Sequence, residues 1–106
     1  MTVHNKLVRD KILERIIGNG GTYEAHIATD DEYWVKLKEK LQEEVDEFLK
    51  AESHNDMVEE LADIFQVLDE IMSYRKISPN GVHGRKRKKA IETGVFDKRI
   101  ILESTS

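Results

Sequence analysis

The sequence predicts an all-α fold, an antiparallel helical bundle with short extended segments near its termini. Three observations predict it. Apolar residues recur at helical spacing over two long segments, capping residues precede the helical runs, and a single proline interrupts the 106 residues. With no repeat, linker or low-complexity tract, one domain over residues 1–106 is expected.

Leu7, Val8, Ile12, Ile16 and Ile17 have helical spacing, so a first helix is predicted from near Arg9 or Asp10 to the glycines of "GNGG". "TYEAHIA" then reads as an extended segment. "TDDE" makes Thr29 an N-cap, with Glu32 three residues on as a capping box and acids at the positive helix end. A long helix follows from Asp30 to Ala51, its inward stripe being Trp34, Leu37, Leu41, Val45 and Phe48, with Leu49 beside it. "ESHND" breaks the pattern, because Ser, Asn and Asp compete for backbone hydrogen bonds. The next helix, Asp56 to Tyr74, carries Met57, Leu61, Ile64, Leu68 and Ile71 at heptad-like spacing. Val58, Ala62, Phe65, Val67 and Met72 widen its apolar coverage, so it is expected to be buried on several sides, against the bundle and against a partner subunit. Ser78 as N-cap and Pro79 at the first position start a basic helix over 79–92, which Gly94 ends. Phe96, Lys98, Ile100 and Leu102 alternate in "VFDKRIIL" and predict a short strand pairing with an extended segment near the N-terminus.

Charged residues make up 36% of the chain, but 21 acids against 17 bases leave a net charge of −4, so distribution matters more than balance. Acids crowd residues 39–70, and "GRKRKK" at 84–89 is the densest basic run. The absence of cysteine excludes a disulfide framework and thiolate metal sites, and a cytoplasmic location is expected. No apolar run approaches the roughly 18 to 20 residues of a membrane span, and "MTVHNKLVRDKI" lacks a signal peptide's hydrophobic region, so no membrane partner is expected. His4, His26, His54 and His83 lack ligand spacing, which argues against zinc; His54 is expected in the turn. Trp34 is read as a core residue in preference to a base-stacking one.

Within the acidic region, Glu44 and Glu47 are three residues apart, as are Glu60 and Asp63, and that spacing puts each pair on one helix face. In an antiparallel hairpin turning near residues 53 and 54, Glu44 falls opposite Asp63 and Glu47 opposite Glu60. All four would then converge. Glu44 takes a slot that the progression Leu37, Leu41, Phe48 leaves for an apolar side chain, and Asp63 is the only charge in "LADIFQVL". Converging carboxylates repel one another, and desolvation adds to the cost. Protonation relieves the repulsion, and so does a divalent cation; hard oxygen ligands without His or Cys suit Mg2+, with Mn2+ as the other choice. The competing reading is a set of solvated faces paired with Lys36, Lys38, Lys40 and Lys50.

The same residues resemble the signature of the MazG-like all-α nucleoside triphosphate pyrophosphatases, ExxE followed after a short gap by ExxD. "EEVDE" supplies Glu44 and Glu47, and "EELAD" supplies Glu60 and Asp63. "NKLVRDKI" and "GVFDKRIILE" are similar to the subgroup labelled phosphoribosyl-ATP pyrophosphohydrolase-like, so the resemblance covers nearly the whole chain. Leu13 stands where that subgroup usually has proline, and Thr93 and Val95 replace an arginine and a glycine of its "RGGF"-like stretch. The resemblance implies a helical bundle that is a homodimer or homotetramer, with Mg2+ at Glu44, Glu47, Glu60 and Asp63. It implies cleavage of a nucleoside triphosphate between the α and β phosphates, giving a monophosphate and pyrophosphate, with Glu44 or Glu47 activating the water. It also implies phosphate contacts from Lys6, Arg9, Lys89 and Lys98, and clearance of unwanted nucleotides or action on phosphoribosyl-ATP-like substrates.

The alternative is a small helical module that binds nucleic acid or protein through the basic run 85–89. Nucleic acid is not the expected partner, because the chain is acidic and no aromatic residue is interleaved with those bases.

Overall fold

The computed structural model describes residues 2–106, among which there are four helices and no strand. They are α1 (Ile12–Gly18), α2 (Asp30–Lys50), α3 (His54–Arg75) and α4 (Pro79–Thr93). The all-α expectation holds. None of these helices is long and apolar enough to cross a membrane. The chain forms two compact units divided between Ile71 and Met72.

In the first unit, α1 starts at Ile12, later than the apolar spacing predicts, because residues 10 and 11 form a turn in which the Ile12 amide donates to the Arg9 carbonyl at 3.1 Å. Its end is closed by Gly20 at φ 81°, a left-handed conformation suited to glycine, as the Gly21 amide reaches back to the Ile16 carbonyl. "TYEAHIA" is without regular structure. Thr29 caps α2 as predicted, its hydroxyl accepting from the Glu32 amide at 3.3 Å. The Glu32 carboxylate pairs with His26 Nε2 at 2.8 Å. A link of three residues, 51–53, separates α2 from α3, and it is Ser53 that caps α3 by accepting from the Asp56 amide at 3.0 Å. This cap places His54 inside the helix instead of in the turn, and starts α3 two residues before the predicted Asp56.

The core is small. Leu37 on α2 and Val67 on α3 are the only buried apolar residues among those described, and Glu44 is buried with them at 8% exposure. On α2 the predicted stripe is inward, Trp34, Leu41, Val45 and Phe48 being half-buried around Leu37. On α3 the phase differs. Its less exposed line is Glu60, Asp63, Ile64, Val67 and Ile71, while Met57, Leu61 and Leu68 of the predicted heptad are exposed. Heptad spacing alone fits several registers on a helix with so many apolar residues, and it is Glu60 and Asp63, two of the acids expected to converge between the helices, that mark its inward face.

In the second unit, α3 ends with Lys76 at φ 57° and the Ile77 amide bonded to the Met72 carbonyl at 2.8 Å. Ser78 caps α4 through the Gly81 amide at 3.1 Å, Pro79 is its first residue, and Gly94 at φ 86° ends it, all as predicted. The strand expected in "VFDKRIIL" is absent. Residues 96–98 bend, and the Arg99 amide closes a turn on the Phe96 carbonyl at 3.0 Å with Arg99 at φ 61°, which no extended segment tolerates. Alternation along one segment does not make a strand without a second segment to pair with.

Candidate metal centre

The α2–α3 hairpin brings three carboxylates together. Glu44 on α2 and Glu60 and Asp63 on α3 each offer one oxygen, and these oxygens lie within 4.8 Å of one another. The three-residue link folds α3 back along α2, so opposition about the turn sets Glu44 near Asp63, and the i, i+3 spacing puts Glu60 on the same face. Glu47, the fourth predicted acid, is exposed and stands outside this group, although its charge acts on Glu60.

The three acids differ in what neutralises them. Asp63 accepts from Arg9 Nη2 at 2.7 Å, across 54 positions of sequence. Glu44 has Lys40 Nζ at 3.4 Å, one turn back on its own helix. Glu60 Oε2 is buried without a hydrogen-bond partner. Desolvation, and after it the nearby charges of Asp63, Glu44 and Glu47, push the Glu60 carboxyl above the ordinary glutamate value. Neighbouring Glu43 goes the other way: burial pushes it up, but the hydrogen bond from Lys6 and the charges of Lys40 and Lys6 outweigh burial and lower it. Lys6 Nζ lies 3.2 Å from Glu43 Oε1 and Lys40 Nζ 3.5 Å from Oε2.

This donor set fits a divalent cation. All three groups are hard oxygens, one carries an unsatisfied buried oxygen, and their spacing lets one ion be shared among them. An open cleft of about 470 Å³ adjoins them, lined in part by Arg9, Lys40, Glu44 and Asp63 and by the apolar Leu37 and Val67. Acid, base and apolar surface thus meet in one concave place, which is where a small anionic ligand with an organic body would lie.

Of the cations singled out in the sequence, Arg9 and Lys6 reach the acids of the first unit. Lys89 belongs to α4, where its carbonyl accepts from the Thr93 hydroxyl, and Lys98 to the turn after it, both in the second unit. Lys40 and Glu43 extend the network beyond the residues that the acid motif marks. Their signal in the sequence is the i, i+3 and i, i+4 spacing of Lys40 to Glu43 and Glu44, which any solvated helix face also shows. The basic run Arg85 to Lys89 is exposed along α4, and Lys88 stands 3.9 Å from Glu92. Trp34 is half-buried, with Lys38 Nζ 5.0 Å from its ring centre.

The family model described as phosphoribosyl-ATP pyrophosphohydrolase matches residues 6–90, a span that contains all three clustered acids, Glu47 and Arg9. A protein of Mycolicibacterium smegmatis described as an "Uncharacterized protein" is 43% identical over 54 residues, covering 51% of this chain and 55% of the relative. The match thus spans about half the length of that curated relative. No solved structure matches the chain.

Proposed function

We infer, because this chain belongs to the phosphoribosyl-ATP pyrophosphohydrolase family, a MazG-like all-α group, that it hydrolyses a nucleoside triphosphate between its α and β phosphates. The products are a nucleoside monophosphate and pyrophosphate. The observation that carries the reading is the convergence of Glu44, Glu60 and Asp63 with an unsatisfied buried oxygen on Glu60.

Glu44, Glu60 and Asp63 hold Mg2+, or Mn2+ in its place. The bound ion supplies charge neutralisation for the triphosphate and a lowered pKa for water. Glu47 is exposed and free of the clustered oxygens, which suits it to take a proton from the attacking water, whereas Glu44 is buried and committed to the cluster. Lys6 and Arg9 approach the cluster from the segment before α1 and offer cationic partners to phosphate oxygens. Lys89 and Lys98 are assigned to phosphate contact by resemblance alone. The cleft beside Glu44 and Asp63 receives the nucleoside, with Leu37 and Val67 in its lining.

A homodimer or homotetramer in the cytoplasm completes the reading. A chain of 106 residues with two buried apolar side chains among those described is short of core, while Val58, Leu61, Phe65 and Leu68 leave an apolar line exposed along α3. Second copies cover that line.

The test is a panel of nucleoside triphosphates incubated with Mg2+ and assayed for pyrophosphate, with the monophosphate identified by 31P spectroscopy. At least one is expected to be cleaved, and Asp63→Asn to lose turnover while keeping its circular dichroism spectrum. No release from any member of a complete panel, or a variant as active as the parent, contradicts the reading.

A further inference from the structure

We propose that Arg9 is the resident counter-cation of the acid cluster, holding Asp63 until a divalent ion takes that carboxylate, and then turning its guanidinium to the triphosphate. The inference rests on the metal-dependent reading above and concerns the one arginine paired with Asp63 in the first unit.

Three observations carry it. Arg9 Nη2 meets Asp63 Oδ1 at 2.7 Å, so one of the three converging carboxylates already has a cationic partner. The pair is open to solvent, at 56% and 38% side-chain exposure, and an exposed ion pair is weak enough to exchange partners. Thirdly, the segment that carries Arg9 is fastened without it. Lys36 Nζ donates to the Asn5 carbonyl at 2.8 Å, Lys6 pairs with Glu43 on α2, and the Arg9 carbonyl accepts the first amide of α1. The backbone at Arg9 therefore stays in place while its side chain moves.

The consequence follows from charge. A guanidinium on Asp63 competes with a divalent ion for the same oxygen, so metal without nucleotide binds less well than the acids alone would allow. A triphosphate offers the displaced planar guanidinium a pair of phosphate oxygens to bind bidentately, in the cleft that Arg9 lines. Arg9 thus opposes the ion alone and favours the ion with nucleotide, which makes their binding cooperative.

Calorimetric titration separates these signs. Arg9→Gln is expected to bind Mg2+ alone more tightly than the parent by about two- to five-fold, the scale of one exposed ion pair. With Mg2+ saturating, it should bind an α,β-methylene nucleoside triphosphate more weakly by about ten-fold, since a charge-assisted bidentate contact is lost. Arg9→Lys keeps the competing charge without the fork, so its Mg2+ affinity should stay near that of the parent while analogue binding falls. Lys36→Met, which removes one of the three fastenings, leaves the other two to hold the Arg9 backbone and does not touch the cluster's charge, should not change Mg2+ affinity. Unchanged or weaker Mg2+ binding in Arg9→Gln overturns the proposal, as does an equal gain in Lys36→Met or no Mg2+ binding by any of the proteins. Overturned by the Arg9→Gln result with pyrophosphate release intact, the exchange fails and the enzyme reading survives; tighter Mg2+ binding with no substrate cleaved leaves the exchange standing and removes the enzyme.

Discussion

The α2–α3 hairpin and α4 hold the two densest runs of like charge in the chain, and they do different things with it. In the hairpin, acids on two helices meet, one of them buried and one left with an unsatisfied oxygen. On α4, Arg85 to Lys89 follow one another on a single helix, so their side chains fan out around it and all are exposed. Consecutive charges disperse, whereas charges three apart on two opposed helices converge. Density of charge in a sequence therefore says less about a binding site than its phase does.

The comparison breaks most readily at the hairpin. Exchanging Asp63 for Asn or Glu60 for Gln should lower pyrophosphate release by at least about ten-fold, since a lost ligand should cost no less than a lost outer-shell partner. Neither change should unfold the protein, a point checked by circular dichroism. A smaller effect would mean that convergence in the fold is not convergence in function.

Next comes the packing that holds the acids in place. Leu37 is 1% exposed and lies at the centre of what little core the first unit has. Leu37→Ala should cost about 3 kcal/mol by chemical denaturation, a loss from transfer and cavity together. Because so few other side chains are buried, the midpoint should also depend on protein concentration if second copies cover α3.

The pH dependence of stability sharpens the contrast within the hairpin. The native Glu60 carboxyl sits above an ordinary glutamate near 4.5, so between those two values the folded chain binds more protons than the unfolded one. Its contribution is present at lower pH and is lost as pH rises through the raised value. Glu43 is lowered, so its contribution is present above 4.5 and is lost as pH falls through its depressed value. In EDTA, urea melts from pH 3 to pH 8 should therefore show Glu43→Gln losing stability relative to the parent as pH rises through the acid end of the range up to about 4.5, and Glu60→Gln gaining it as pH rises above 4.5. Added Mg2+ should remove the gain.

How much of this is legible in the sequence depends on whether the signal is local. Thr29 and Ser78 are found where a hydroxyl precedes a helical run, because a cap acts within three residues. Glu44, Glu60 and Asp63 follow from spacing plus one short turn. Glu47 shares that spacing and still lies outside the group, since opposition about a turn fixes which residues face each other but not how a side chain nearer the link splays. Arg9 is singled out by resemblance only: no periodicity ties a residue ahead of α1 to a carboxylate on α3. The strand expected after α4 fails for the same reason, as pairing needs a distant partner that alternation cannot supply.

Smaller effects complete the series. Thr29→Ala should cost about 1 kcal/mol of stability, measured by thermal or urea denaturation, through the lost cap at the start of α2. Neutralising Arg85, Lys86, Arg87 and Lys88 together should shift stability by no more than about 0.5 kcal/mol and leave Mg2+ affinity as it was, because solvated charges on one helix hold nothing in common. A large loss of metal binding there would erase the distinction between the two regions.

The most direct test of a shared ion is anomalous diffraction from crystals soaked in Mn2+. One peak is expected among the carboxylates of Glu44, Glu60 and Asp63, within bonding distance of an oxygen from each. A map with those three oxygens still gathered and the manganese elsewhere, or nowhere, would contradict the account.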